Sequence, residues 1–71
     1  MNQVISRFPH VVRQLREAEG WSQEELAERA DLNRSYVGEI ERGLAMPSLV
    51  TVGKLATGFG LSASSLLARC E

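Results

Sequence analysis

The chain has 71 residues, a formal net charge of −1 and a sequence pI near 5.8. A chain of this length forms one small domain whose core is limited, so disulfides, a metal, close helix packing or a partner subunit usually add stability. The lone Cys70 excludes an intrachain disulfide, and no Cys/His spacing typical of a metal site is present. We therefore expect one domain over residues 1–71, stabilised by helix packing and a second copy of the chain.

Other classes of protein are disfavoured by what the sequence lacks. Neither a signal peptide nor an apolar run long enough to cross a membrane is present, which indicates a cytoplasmic protein. The single histidine, His10, has no partner placed by a motif for nucleophilic catalysis. We expect no enzyme activity, no catalytic residue, no cofactor, no metal and no small-molecule ligand.

The first predicted helix covers residues 9–19. Pro9 is acceptable in a first helical turn, because its missing N–H has no intrahelical partner there. Residues 1–8 are therefore expected to form an arm or a separate short element. Val12 and Leu15 point inward, and Gly20 ends the helix.

Two short helices joined by a tight turn follow, over residues 23–29 and 34–42. Ser22 caps the first of them, and Glu25 completes an S-x-x-E capping box. Asn33 caps the second, in which Val37 and Ile40 point inward. The outward side of this third helix is polar and narrow, and it carries Arg34, Ser35, Gly38, Glu39 and Arg42.

The rest of the chain predicts a fourth and a fifth helix, within residues 48–70. Ser48 and Ser62 are their expected N-caps. The apolar stripe of the fourth helix comprises Leu49, Val52, Leu55, Ala56 and Phe59. The fifth carries Ala63, Leu66, Leu67 and Cys70 on one side, and no strand pattern competes with this all-α reading.

A helix with the polar face of the third one fits the DNA major groove, which is wide enough to admit it. The segments LREAEGWSQEELAERADL, NRSYVGEIERG and MPSL, followed by a helix running to Gly58 and Gly60, resemble the helix-turn-helix of the phage repressor and Cro (XRE) superfamily. The resemblance covers nearly the whole chain. It implies a five-helix, repressor-like DNA-binding domain, with the helix-turn-helix in residues 22–43 and core and dimerisation roles for residues 48–70. NRSYVGEIERG is most similar to the controller proteins of restriction-modification operons.

The resemblance also implies a set of DNA contacts. Arg34, Ser35 and Glu39 match base-reading positions, where Arg grips guanine O6 and N7 and Glu accepts from cytosine N4. The alternative for all three is an ordinary solvated helix face. Contacts to the DNA backbone are implied for Gln23, Tyr36, Arg42 and Ser48. Their alternatives are an exposed helix position for Gln23, half-buried packing for Tyr36 and simple capping for Ser48.

Structural roles are implied for two further groups. Arg16 and Glu41 match an ion pair that ties the first helix to the third beneath the surface. We call the third helix the reading helix, because it carries the residues expected to read bases. Leu61, Leu66 and Leu67 exceed what one small core needs on a terminal helix, and family members commonly dimerise there. Packing within the monomer is the alternative for these leucines.

We predict that the protein is a homodimeric transcriptional regulator, which binds double-stranded DNA at a palindromic operator. Without a sensor domain it would respond to its own concentration, as the autoregulating controller of a restriction-modification operon does. A phage-type repressor or an antitoxin that represses its own operon is the alternative within this class.

An alternative of another class is a protein-interaction module that has lost DNA binding. Residues 21–43 hold six acidic side chains against three arginines, so the basic footprint of a nucleic-acid binder is missing. Leu44 and Ala45 also stand where the family usually has basic or polar residues. Fewer phosphate contacts would lower both the affinity and its salt dependence.

Overall fold

The computed structural model describes residues 3–71, and five α-helices account for most of them. They are α1 (Gln3–Ala18), α2 (Gln23–Ala30), α3 (Arg34–Glu41), α4 (Leu49–Phe59) and α5 (Ala63–Ala68). The predicted all-α class with five helices is confirmed. The ends of α2 and α3 each differ by one residue from the sequence-based expectation.

The first helix begins earlier than predicted and continues through Pro9. The expected separate arm is therefore wrong for residues 3–8, and residues 1–2 lie outside the described residues. A proline inside a helix costs about 3 kcal/mol, because it removes a backbone hydrogen bond and its ring meets the preceding turn. Burial of Phe8, with Val4 partly buried against the same core, offsets this cost.

The predicted N-caps are all present. Ser22, Asn33, Ser48 and Ser62 each accept a hydrogen bond from the backbone N–H three residues later, over 2.8 to 3.2 Å. The capping box after Ser22 is only half formed. The Glu25 carboxylate accepts from Arg29 Nε at 3.1 Å instead of returning to the cap.

The arrangement of the helices leaves one side of α3 in solvent. α2 packs against both α3 and α4, α1 packs against α3, and α5 packs against α4. The side chains that fill the centre are Phe8, Val11, Val12, Leu26, Ala27, Ala30, Val37, Ile40, Val52, Leu55, Ala56, Leu66 and Cys70. Because Val37 and Ile40 are fully buried there, the opposite side of α3 faces outward.

Two leucines lie elsewhere than the sequence predicted. Leu66 is fully buried in the core of its own chain, so it contributes no surface for a dimer and that assignment is corrected. Leu66 fills space beneath α4, because the short helix α5 turns only one side toward the core. Leu49, expected in the inward stripe of α4, is 83% exposed, because it is the first residue of that helix and lies at the edge of the core.

Candidate nucleic-acid interface

A shallow polar depression lies over the outward side of α3. It has a volume of about 330 Å³ and is lined by Gln23, Arg34, Ser35, Gly38, Glu39 and Arg42. Asn33, as the N-cap, fixes where α3 begins. The burial of Val37 and Ile40 turns the opposite side of this helix outward. The structure thus brings together the three residues predicted to read bases and two of the four predicted to contact the backbone.

The charged groups of this depression are not used inside the protein. Within residues 3–71, the side chains of Arg34, Glu39 and Arg42 form no ion pair or hydrogen bond. All three are exposed. Their donors and acceptors are therefore available to a ligand that lies along α3.

A buried ion pair supports the depression from below. Arg16 donates from Nε to Glu41 Oε2 at 2.7 Å and from Nη2 to Glu41 Oε1 at 3.0 Å. Arg16 Nη1 also donates to the backbone carbonyl of Trp21 at 2.8 Å. The side chain of Glu41 is 3% exposed and that of Arg16 is 13% exposed. The hydrogen bond to Glu41 raises the pKa of the Arg16 guanidinium and outweighs the opposing effect of burial.

Gln23 connects this ion pair to the surface. Its Nε2 donates to Glu41 Oε1 at 3.1 Å, so the carboxylate holds the amide in one orientation. The first residue of α2 is thereby fixed beside the middle of α3. The side chain is half-buried, which differs from an ordinary exposed position at a helix start.

The two other predicted backbone contacts lie outside the depression, at the start of α4. The Tyr36 hydroxyl is 3.3 Å from Thr51 Oγ1, and Tyr36 is half-buried against the core. Ser48 Oγ is 3.2 Å from the same Thr51 oxygen and also caps α4. Both residues thus have structural contacts, and their hydroxyls form a small polar cluster beside the N-terminus of α4.

Large apolar side chains follow α3, and the first of them, Leu44, stands where the family usually has a basic or polar residue. We call the surface formed by Leu44, Met46, Leu49 and Val50 the α4 patch; these side chains are 72%, 73%, 83% and 70% exposed. Beside it is an apolar groove of about 500 Å³ between the start of α1 and the loop after α3, with Leu67 in its wall. This surface was not predicted from the sequence, although the four large apolar residues within residues 44–50 are a signal for it.

The remaining predicted dimer residues are less exposed than the α4 patch. Leu61 and Leu67 are both half-buried and pack against the core. Leu67 also borders the apolar groove, whereas Leu61 does not. The assignment of Leu61 to an interface remains a prediction.

Two short helices joined by a tight turn, the second buried on one side and polar on the other, define a helix-turn-helix domain. The family model described as "Helix-turn-helix" matches residues 12–66 of the chain. The chain therefore belongs to the HTH_3 helix-turn-helix family. It is a DNA-binding transcriptional regulator and not an enzyme. Within residues 3–71 no helix is both long and apolar enough to span a bilayer.

Known relatives include both short and long proteins. Control protein C.MunI of Mycoplasma sp is 38% identical over 72 residues, a match that covers 100% of this chain and 97% of the relative. HTH-type transcriptional regulator SutR of Escherichia coli is 35% identical over 64 residues, covering 89% of this chain but only 36% of SutR. The chain thus spans about a third of that longer relative's length.

A solved structure has the same fold. The crystal structure of the restriction-modification controller protein C.AhdI from Aeromonas hydrophila superposes with a TM-score of 0.81 at 45% sequence identity. The match covers 87% of this chain and 94% of that one. The five-helix fold predicted from the sequence resemblance is confirmed.

Proposed function

We propose that this protein is a cytoplasmic homodimer that binds a palindromic operator and controls its own operon, as a restriction-modification controller. The observation that supports this proposal most directly is the polar depression over α3. It presents two guanidinium groups, from Arg34 and Arg42, that have no ion-pair partner within residues 3–71, beside Ser35 and the Glu39 carboxylate. These groups suit the base edges exposed in a major groove.

The residues that line the depression support DNA binding despite the negative net charge of the chain. Total charge governs non-specific attraction to DNA, whereas base reading depends on a few well-placed donors and acceptors. Arg29, which does not line the depression, is paired with Glu25 on α2, and Glu41 is neutralised by Arg16. The local balance on the reading surface is therefore two arginines against Glu39.

The proposed dimer uses the α4 patch instead of Leu66. Contiguous exposed apolar side chains on a small protein mark an interaction surface. Gly53 lies one turn beyond Leu49, and a Cβ built there has no atom within 4 Å, so this side of α4 is open to a partner helix. A two-fold interface between two copies uses the same surface on each. The α4 patch, whose four exposed apolar residues all lie within residues 44–50, is a candidate for that surface.

A pair of reading helices also needs a defined separation. Two-fold helix-turn-helix dimers place these helices one DNA turn apart, about 34–36 Å. The α4 patch comes immediately after α3 in the chain, so a contact through it would fix the positions of both reading helices. Leu67, at the edge of the adjoining groove, remains part of the proposed surface.

Selection from a pool of random double-stranded DNA, at low and at moderate salt, tests this function. We expect an enriched palindrome whose half-site centres are about 10 base pairs apart. A reporter driven by the protein's own upstream region should respond to its concentration. Failure to enrich any sequence at either salt concentration would favour the protein-interaction module.

The genomic neighbourhood separates the biological roles. An adjacent restriction endonuclease gene would support the controller, and an adjacent toxin gene would support an antitoxin. A neighbouring set of phage genes would support a phage-type repressor. The direction of the reporter response decides between activation and repression.

A further inference from the structure

Gly38 lies in the middle of α3, has no side chain, and is buried. Two polar side chains cover it. A Cβ built on Gly38 would lie 3.2 Å from Arg42 Nη1 and 3.5 Å from Gln23 Oε1. The missing side chain thus leaves room for a guanidinium and an amide to lie directly on the reading helix.

The path of Arg42 explains why its guanidinium reaches this position. Arg42 is the C-cap of α3, and its backbone N–H donates to the Gly38 carbonyl at 3.1 Å. Side chains on a helix lean toward its N-terminus and meet the residue four positions earlier. The Arg42 side chain accordingly runs back over Gly38 and does not follow the chain into the loop.

Gln23 borders the same space in a fixed orientation. Because Nε2 is engaged by the buried Glu41, the Oε1 atom is turned toward Gly38. This oxygen is an acceptor beside the Arg42 guanidinium. The series Arg16, Glu41, Gln23 therefore runs from the core to the space over Gly38, which the Arg42 guanidinium also borders.

We propose that Arg42 reads a base edge, the O6 and N7 of a guanine, and that Gly38 and Gln23 are its positioning residues. The proposal rests on the proposed function and deepens it, since the family resemblance gave Arg42 only a backbone contact. The reason is location: the guanidinium lies in the depression with Arg34 and Glu39. Two parallel N–H donors of arginine match the two acceptors of guanine in the major groove.

The test is selection of DNA by the wild-type protein and by Arg42→Lys, Arg42→Ala and Gly38→Ala. Lysine keeps the charge but loses the two-pronged donor geometry. All three variants should lose preference at the same guanine, by about 10-fold or more, and keep the preferences set by Arg34. Arg13→Ala, which removes an exposed arginine on α1, is the charge-matched control and should keep every preference.

Folding is checked separately, by circular dichroism and thermal melting. Alanine favours a helix more than glycine does, and the nearest atom to the new Cβ is the flexible tip of Arg42. Gly38→Ala should therefore melt no lower than the wild type while the guanidinium is displaced. A loss of base preference at an unchanged melting temperature is a result that a purely structural role for Gly38 would not produce.

Three outcomes would overturn the proposal. Equal weakening of Arg42→Ala on selected and random DNA, with a smaller salt dependence and wild-type behaviour of Arg42→Lys, would make Arg42 a phosphate contact. An unchanged preference in Gly38→Ala would remove Gly38 as a positioning residue. If the wild-type protein selects no sequence, the proposed function itself fails and the inference fails with it.

Discussion

Arg16 and Glu41 join α1 to α3 through two hydrogen bonds of 2.7 and 3.0 Å, although they are 25 residues apart in the sequence. Helix α3 is only eight residues long, so its own backbone hydrogen bonds contribute little stability in isolation. The pair secures the C-terminal end of this helix to the core. The same carboxylate also orients Gln23, one of the side chains that line the polar depression over α3.

The first prediction concerns the stability that this pair provides. Glu41→Ala should lower the free energy of unfolding by about 3–5 kcal/mol, because it leaves the Arg16 guanidinium largely buried without its partner. Urea unfolding followed by circular dichroism measures the change. Glu24→Ala removes an exposed carboxylate of α2 and should change stability by no more than about 0.5 kcal/mol. Similar values for the two variants would show that the pair is not important for stability.

The second prediction concerns Arg34. Arg34→Ala should weaken binding to the selected operator by about 1–3 kcal/mol and relax the preference at one base pair. The domain should remain folded, since Arg34 is exposed and its side chain has no partner within residues 3–71. Titrations of operator and random DNA give the two affinities. An equal loss on both would reduce Arg34 to a phosphate contact.

The third prediction concerns assembly through the α4 patch. Leu49→Glu and Val50→Glu should each convert the proposed dimer to a monomer in sedimentation, because like charges would meet in an apolar contact between two copies. Operator binding should weaken sharply while helicity is retained, since both side chains are exposed in the monomer. Ala63→Glu adds the same charge at an exposed position of α5 outside the patch and should leave the dimer intact.

The two leucines of α5 should respond differently from each other. Leu66→Glu should unfold the domain, because it places a charge in the fully buried core position. Leu67→Glu should remain folded and weaken the dimer, since Leu67 is only half-buried at the edge of the groove. A folded dimer for all the patch variants and for Leu67→Glu would place the interface elsewhere.

The fourth prediction concerns Cys70, which is buried with Sγ 3.5 Å from the Leu66 carbonyl oxygen. Burial raises the pKa of its thiol above the ordinary value of 9.0. The native protein should resist thiol-reactive reagents at pH 8, whereas the urea-unfolded chain should react at once. Rapid modification of the native protein would contradict the buried position.

The same shift predicts a dependence of stability on pH. Above pH 9 the unfolded chain releases the thiol proton while the folded chain retains it, which favours unfolding. This contribution is complete below the unfolded pKa and is lost as the pH rises toward the folded pKa. Cys70→Ala, which has no thiol, should lose less stability than the wild type between pH 8 and pH 10. Parallel losses in the two proteins would assign the effect to other groups.

The sequence by itself determined the helices and the direction in which α3 faces. Caps such as Ser22 and Asn33 act on the backbone three residues away, and the spacing of Val37 and Ile40 fixes one face of a helix, so both are local signals. The partnership of Arg16 with Glu41 came from family resemblance, and its hydrogen-bond geometry is present in the structure. Local rules misplaced the start of α1, because the cost of Pro9 is offset by burial of Phe8 against distant residues.

Only the tertiary structure decided which apolar side chains are left outside the core. Leu49 and Leu66 read alike as apolar helix positions, yet one is 83% exposed and the other is fully buried. The difference depends on where α4 begins relative to the neighbouring helices. It also depends on which side of α5 those helices cover. The orientation of the Gln23 amide beside Gly38 is set in the same way, by a carboxylate that α1 holds from across the core. Contacts between elements distant in sequence carry this information, and no local spacing encodes it.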